Sequence, residues 1–196
     1  MPFQAGGDLC LGFWADALRL GGVDLKRDLP LGGSVLEIGC AEANWLQPMH
    51  DLRPDLTLVG IDVRPGPKPW AIQGDVLTYD FQPAQFDAAV LISALEHIGL
   101  GAYGDPLNPY GDILTLRRLH QWVKPGGWIY FDVPYGTGDD ADGYAPAVLR
   151  GFWRYDDVAI ARRLCSGYWR ERWRQIHRPS HPDGPYISLV LDRNGA

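Results

Sequence analysis

Ser34-Val35-Leu36-Glu37-Ile38-Gly39-Cys40-Ala41-Glu42-Ala43-Asn44 is the stretch on which the fold turns. Its first five residues are mostly apolar and include β-branched Val35 and Ile38, which predicts a short strand buried on both faces. Small residues follow, then a helix-like segment from Glu42 to about Leu52 that contains Pro48. In a strand, small-residue turn and helix N-terminus, backbone N–H groups can approach a ligand closely. The turn is not a dinucleotide G-x-G-x-x-G, because Ala41 and Asn44 stand at its third and sixth positions.

Working outward, the same strand signal recurs. Leu56 to Asp62, Trp70 to Gln73, Phe86 to Ser93 and Trp128 to Val133 read as further buried strands. Ile113, Leu116, Leu119 and Val123 repeat at helical spacing, and Pro125-Gly126-Gly127 closes that helix. A helix over Asp8–Leu20 ends at Gly21-Gly22, and 155–164 also reads as helix. Arg64-Pro65-Gly66-Pro67-Lys68-Pro69 excludes a helix between the second and third strands, so that crossover is short and irregular. Tyr168 to Ile176 and Tyr186 to Leu191, joined by Pro182-Asp183-Gly184-Pro185, predict an antiparallel hairpin. Strands alternating with helices imply an α/β fold, a doubly wound, mainly parallel seven-stranded sheet with a C-terminal antiparallel hairpin.

The 196 residues predict a single domain, with an N-terminal helix and turn over 1–33, a core over 34–134 and a helix plus hairpin over 135–196. An apolar fraction of 46% and a charged fraction of 21% exclude a disordered chain. Cys10, Cys40 and Cys165 form neither a closed disulfide framework nor a zinc knuckle, and read as reduced thiols. With no signal-like N-terminus and no run of 18 apolar residues, the expected location is cytoplasmic, away from membranes. The net charge of −6 is uneven. Residues 150–178 hold eight arginines against three acids, a local +5, and the remainder carries −11. An acidic protein is a poor general partner for nucleic acid, although a basic stripe can meet an anionic ligand.

In an open α/β sheet, ligands bind beyond the carboxyl ends of the strands at the switch point. The residues there are Gly39 to Asn44, Asp62, Gly74-Asp75-Val76, and Ser93 to His97. Asp62 lies 23 residues beyond Gly39, near the spacing of a carboxylate that accepts both ribose hydroxyls.

These segments together resemble the class I S-adenosylmethionine-dependent methyltransferases. Val35 to Ala43 is similar to their first motif, Gly60-Ile61-Asp62 to their ribose-binding acid, and Gly74-Asp75-Val76-Leu77 to their adenine-binding turn. Ser93-Ala94-Leu95-Glu96-His97 is similar to their fourth motif, and Lys124-Pro125-Gly126-Gly127 to the turn before their fifth strand. The resemblance spans 34–134 in the family's order, and a segment His97-Ile-Gly-Leu-Gly…Tyr103-Gly-Asp-Pro resembles an uncharacterised branch. It implies S-adenosylmethionine as cofactor. By that resemblance Glu37 supports the loop and reaches the cofactor's amino group, while Gly39, Cys40 and Ala41 pass the methionine part. Asp62 binds the ribose and Val63 lies beside the adenine. Asp75 accepts from the adenine amino group, and the Val76 N–H meets a ring nitrogen. Ser93 and Leu95 lie near the amino acid and the sulfonium. Ala41 and Ala43 replace two of the family's loop glycines, and each added methyl restricts approach to the ligand.

The implied reaction is methyl transfer to a small-molecule acceptor, at an oxygen of a saccharide or secondary metabolite. His97, with an ordinary pKa of about 6.5, is the candidate general base, against a role bracing its loop. Asp105, in the glycine-rich segment with Tyr103, is a candidate base or ligand, against a turn-capping role. Tyr103, Arg170 and Arg172 are candidate acceptor contacts. Arg170, Arg172 and Arg174 are expected on one strand face, with Trp169 and Trp173 on the other. Asp139, Asp140 and Asp142 miss the calcium-loop pattern and read as a solvated loop, so no metal is expected. The competing readings are a non-catalytic partner subunit, a nicotinamide-dependent oxidoreductase, and a methyltransferase for RNA or protein.

Overall fold

The computed structural model describes residues 22–41, 45–136, 152–165, 167–177 and 185–195. The expected helix over 8–20, Cys10, Ala43, the aspartates at 139, 140 and 142, and the hairpin turn at 182–184 lie outside the described residues.

Seven strands form one sheet: β1 (Ser34–Ile38), β2 (Thr57–Asp62), β3 (Ala71–Gln73), β4 (Phe86–Ile92), β5 (Val123–Pro134), β6 (Trp169–His177) and β7 (Tyr186–Arg193). Their spatial order is β3-β2-β1-β4-β5-β7-β6. The first five are parallel, and β7 runs antiparallel to both β5 and β6. The expected doubly wound, mainly parallel sheet with a terminal antiparallel pair is the observed one. Chain order reverses between β1 and β4, so the switch point lies where Gly39 and Ser93 leave the sheet.

Alternation along the central strands divides the core in two. Leu36, Ile38, Ala89, Leu91, Phe131 and Val133 point to the face covered by α2 (Gly111–Trp122), through Leu116, Leu119 and Trp122. Val35, Ala88, Val90, Trp128 and Tyr130 point to the face covered by α1 (Leu46–Leu52), through Leu46 and Met49. Pro48 falls in the first turn of α1, where no intrahelical N–H bond is lost. No helix intervenes between β2 and β3. The proline-rich crossover turns through Lys68 N–H to Gly66 C=O at 2.8 Å and Ala71 N–H to Lys68 C=O at 3.1 Å.

Three expectations are corrected. The Lys124–Gly127 stretch does not simply end α2. It bulges within β5, pairing Phe86 with Val123 and then Ala88 with Trp128. The helix expected over 155–164 is one α-turn, α3 (Asp157–Ala159), continuing as a π-turn over Ile160–Leu164. The arginine face of β6 does not exist. A bulge between Glu171 and Trp173 flips the phase, so Trp169 packs into the α2-side core and Trp173 against the α1-side core. Strict period-two counting fails at a bulge, because one strand carries an extra residue.

The end of β5 is tied to Tyr155. Tyr135 and Tyr155 form an isolated parallel bridge. Tyr155 N–H donates to Pro134 C=O at 2.9 Å, and Gly136 N–H donates to Tyr155 C=O at 3.0 Å. No helix among the described residues is long and apolar enough to cross a membrane.

Candidate active site

The carboxyl ends of β1, β2 and β4 converge on one cradle. Gly39 ends β1 at φ +80°, and a Cβ there would meet the Ala94 Cβ at 2.5 Å. Only glycine satisfies both the left-handed backbone and the close approach of the two loops. Behind this turn Glu37 is almost fully buried, and among the described residues neither carboxylate oxygen has a hydrogen-bond partner. Burial, opposed by Lys68 and reinforced by Asp62, pushes its carboxyl up to about 8. A buried, unsatisfied carboxyl costs stability of its own. An ammonium group delivered by a ligand is the chemistry that would satisfy it.

Cys40 contributes backbone. Its thiol turns into the core, close enough that a Cβ on Gly60 would meet Sγ at 2.7 Å, and burial pushes the thiol up to about 12. Ala41 N–H donates to Asp62 Oδ2 at 3.0 Å, and Arg64 N–H donates to Asp62 Oδ1 at 2.7 Å. Gly66 N–H donates to Ala41 C=O at 3.0 Å. Asp62 therefore stitches the first loop to the second, with a further lone pair on each oxygen available to a hydroxyl. Val63 follows it, half-buried.

Asp75 caps its own turn. Leu77 N–H donates to Oδ1 at 2.8 Å, while Thr78 and Tyr79 N–H donate to the Asp75 carbonyl. Val76 and Leu95 both pack their side chains into the core. Ser93 has φ +43°, a conformation costing a non-glycine residue about 1–2 kcal/mol. Asp132 holds it there by accepting from Ser93 N–H at 2.6 Å and from Ser93 Oγ–H at 3.2 Å. Burial raises the Asp132 carboxyl to about 6, against the lowering effect of those two bonds.

The Tyr103 ring joins two loops. The Arg64 guanidinium lies 4.4 Å from its centroid, and the His97 ring meets it edge-on at 5.3 Å. Phe152 approaches His97 from another direction at 6.2 Å. Asp105 accepts from Gly99 N–H at 2.8 Å and Tyr103 N–H at 3.4 Å, the turn-capping role.

Arg170 and Arg172 are corrected. Both pair with Asp192, Arg172 Nε at 2.7 Å and Arg170 at 3.1 Å, and Arg172 also reaches Asp28. Asp192 pairs in register with Trp128 on β5, at the end of the sheet opposite Ile92 and Pro134. These arginines thus stand away from the cradle on an edge strand, neutralised by local acids. Arg174 is likewise paired with Glu171 and Asp157.

Three contributors escaped sequence reasoning. Asp132 is a lone acid in the apolar run Trp128 to Val133, and that interruption was its signal. Glu96 stands inside the Ser93–His97 segment, where its spacing alone marks no role. Arg64 was absorbed into the proline-rich crossover.

The sheet order, the glycine turn after β1, the acid after β2 and the loop after β4 together define the class I methyltransferase fold. Comparison with solved structures agrees. The N-methyltransferase NodS from Bradyrhizobium japonicum is 16% identical, with TM-score 0.64, covering 96% of this chain and 98% of that one. The Burkholderia thailandensis 1,6-didemethyltoxoflavin-N1-methyltransferase, solved with 1,6-didemethyltoxoflavin and S-adenosylhomocysteine, is 16% identical. Its TM-score is 0.64, covering 99% of this chain and 92% of that one. The [4+2]-cyclase SpnF is 12% identical with TM-score 0.68, covering 100% of this chain and 85% of that one. The family described as "Caenorhabditis protein of unknown function, DUF268" matches residues 75–152. No curated protein matches the chain in sequence.

Proposed function

We propose that this chain is an S-adenosylmethionine-dependent methyltransferase for a small-molecule acceptor, moving the methyl to an oxygen of a saccharide or secondary metabolite. The observation that carries the reading is Glu37, a buried carboxyl directly behind the Gly39 turn whose two oxygens have no partner among the described residues. In this reading Glu37 receives the cofactor's ammonium, while the backbone of Gly39, Cys40 and Ala41 lines its methionine part. The free lone pairs of Asp62 take the ribose hydroxyls, with Val63 beside the adenine. Asp75 and the Val76 N–H address the adenine edge, and the backbone of Ser93 and Leu95 faces the sulfonium.

When bound, the cofactor supplies an activated methyl on sulfur. This chain's residues supply alignment, which is worth roughly 7–11 kcal/mol of barrier. They also supply proton removal, which adds about 10²–10⁴-fold. His97 takes the acceptor proton, Tyr103 positions the acceptor, and Asp105 shapes the loop that carries Tyr103.

Calorimetric titration with S-adenosylmethionine and S-adenosylhomocysteine tests the cofactor. Glu37→Gln is the informative variant, because Asp62→Ala would also release the amides of Ala41 and Arg64. Micromolar binding weakened at least tenfold in Glu37→Gln is expected. Absence of binding to the folded wild type rejects the reading. It would favour a non-catalytic partner subunit, for which the engagement of Asp62 by loop amides is the supporting observation.

A further inference from the structure

Arg64 and Tyr103 meet across the end of β1. Arg64 follows β2 and Tyr103 follows β4, and the sheet order places β1 between those two strands. A contact between their loops therefore spans the Gly39–Ala41 turn. The contact is the guanidinium of Arg64 over the Tyr103 ring, 4.4 Å from the centroid. Among the described residues Arg64 forms no ion pair, so the ring is what holds its guanidinium in place.

The backbone prepares both partners. Arg64 N–H donates to Asp62 Oδ1 at 2.7 Å, which anchors the residue at the end of β2. Tyr103 stands at the tip of a loop whose base is closed by Asn108 N–H donating to Gly99 C=O at 2.7 Å. Gly101 and Gly104, both with left-handed backbone, flank that tip. With the base tied, the tip can move without disturbing the turn after β4 or the start of α2. Arg64 is exposed and Tyr103 is 41% exposed, so core packing locks neither. Burial and the charge of Glu96 raise the Tyr103 phenol above its ordinary range, Arg64 opposes this and Asp62 adds to it. The hydroxyl thus lies within electrostatic reach of acids that follow both β2 and β4.

We propose that Arg64 and Tyr103 form a clasp over the cofactor cleft, which opens for S-adenosylmethionine to enter and for S-adenosylhomocysteine to leave. The inference rests on the proposed function. In that reading the ribose lies at Asp62, the methionine part along Gly39 to Ala41, and the sulfonium beside Ser93 and Leu95. The cofactor then follows the same course, from β2 past β1 to β4, that the clasp spans. Loop closures of this kind set the rate of exchange in many enzymes. The clasp joins two parts of this chain and draws nothing from the cofactor, so it slows entry and exit alike. A cation on a tyrosine ring at such a site holds a loop closed by a factor of roughly 2–30.

The test is stopped-flow tryptophan fluorescence of the full chain with S-adenosylhomocysteine, read as separate association and dissociation rates. Arg64→Ala removes the guanidinium and keeps the backbone N–H that Asp62 accepts. Both rates should rise by the same factor, roughly 2–30, with Kd changed by less than about twofold. Tyr103→Leu should accelerate both rates from the other loop, whereas Tyr103→Phe keeps the ring and should leave both near the wild-type values. Arg64→Ala combined with Tyr103→Leu should be no faster than either alone, because the two groups make one contact. Unchanged rates in Arg64→Ala and Tyr103→Leu overturn the clasp, and so do multiplied effects in the double variant. Faster dissociation with unchanged association also overturns it, and makes Arg64 a direct contact of the ligand. Absence of binding to the folded wild type overturns the proposed function and the clasp with it. Intact binding with unchanged rates strikes the clasp alone.

Discussion

Removing the negative charge of Asp112 should loosen the start of α2 from the π-turn that carries Arg163. Asp112 sits in the first turn of α2, fully buried, and accepts two bonds from Arg163, at 2.9 Å from Nε and 2.7 Å from Nη2. Tyr155 O–H adds a third at 3.0 Å, and Arg163 also donates to Pro109 C=O at 3.0 Å. The guanidinium lies 5.1 Å from the Trp153 ring centroid, with its side chain 5% exposed. Asp112→Asn preserves shape and an acceptor for Tyr155 but removes the buried anion that the guanidinium meets twice. Breaking such a pair costs about 3–5 kcal/mol. For a chain of this length each kcal/mol moves the melting point by roughly 2–4 °C, so a fall of about 6–20 °C is expected. Arg163→Met should cost a comparable amount by stranding the anion. The double variant should recover about 0.5–3 kcal/mol relative to the sum, because it removes both charges together. Urea denaturation of the four proteins closes the cycle. Strict additivity, or a loss below about 1 kcal/mol for Asp112→Asn, would refute the account of this network as a coupled buried pair.

Gly39→Ala should abolish cofactor binding and lower stability by about 2–5 kcal/mol, combining the left-handed backbone penalty with overpacking against Ala94, as read by calorimetry and urea melts. Ligand-free stability should fall as pH rises. Glu37 titrates at about 8 when folded and near 4.5 when unfolded, so the folded state binds the extra proton between those values. The loss should run to a few kcal/mol by pH 8. Glu37→Gln should flatten the slope partly, since the raised carboxyls of Asp132 and Glu96 act in the same direction. If an ammonium pairs with Glu37, binding S-adenosylmethionine near pH 7 should release a proton, seen as heats that vary with the buffer's ionisation enthalpy. Arg170→Ala and Arg172→Ala should leave cofactor affinity unchanged and shift stability by no more than about 0.5–1 kcal/mol, because their ion pairs lie on an exposed edge.

The sheet was legible because burial on both faces leaves a direct trace. Val35 to Ile38 and Phe86 to Ile92 are mostly apolar runs, each interrupted by one acid and too short for a helix, and each is followed by a residue suited to a turn. The strand-end acids were legible through position, since Asp62 and Asp75 follow such runs immediately. What they bond was not. Nothing in the spacing says that Asp62 would meet the amides of Ala41 and Arg64, because those bonds depend on how the proline-rich crossover folds back over the first loop. The arginines of β6 misled for a definite reason. A single extra residue at 171–173 reverses facing from there on, and the register that positions Asp192 beside Arg170 is a property of the strand pair. Asp132 and Glu96 were hidden differently. Their significance comes from burial next to one another, which joins residues 36 positions apart.

The bridge between Tyr135 and Tyr155 joins positions 20 residues apart in the sequence at the end of β5. Departure and re-entry are closed by reciprocal backbone bonds at one spot, so the span between them can lengthen or shorten while the sheet below keeps its register. Doubling the length of such an excursion costs only about 0.6 kcal/mol in closure entropy. Changes in chain length between positions 136 and 155 are thereby ones that the pairing of β5 with β4 and β7 can absorb.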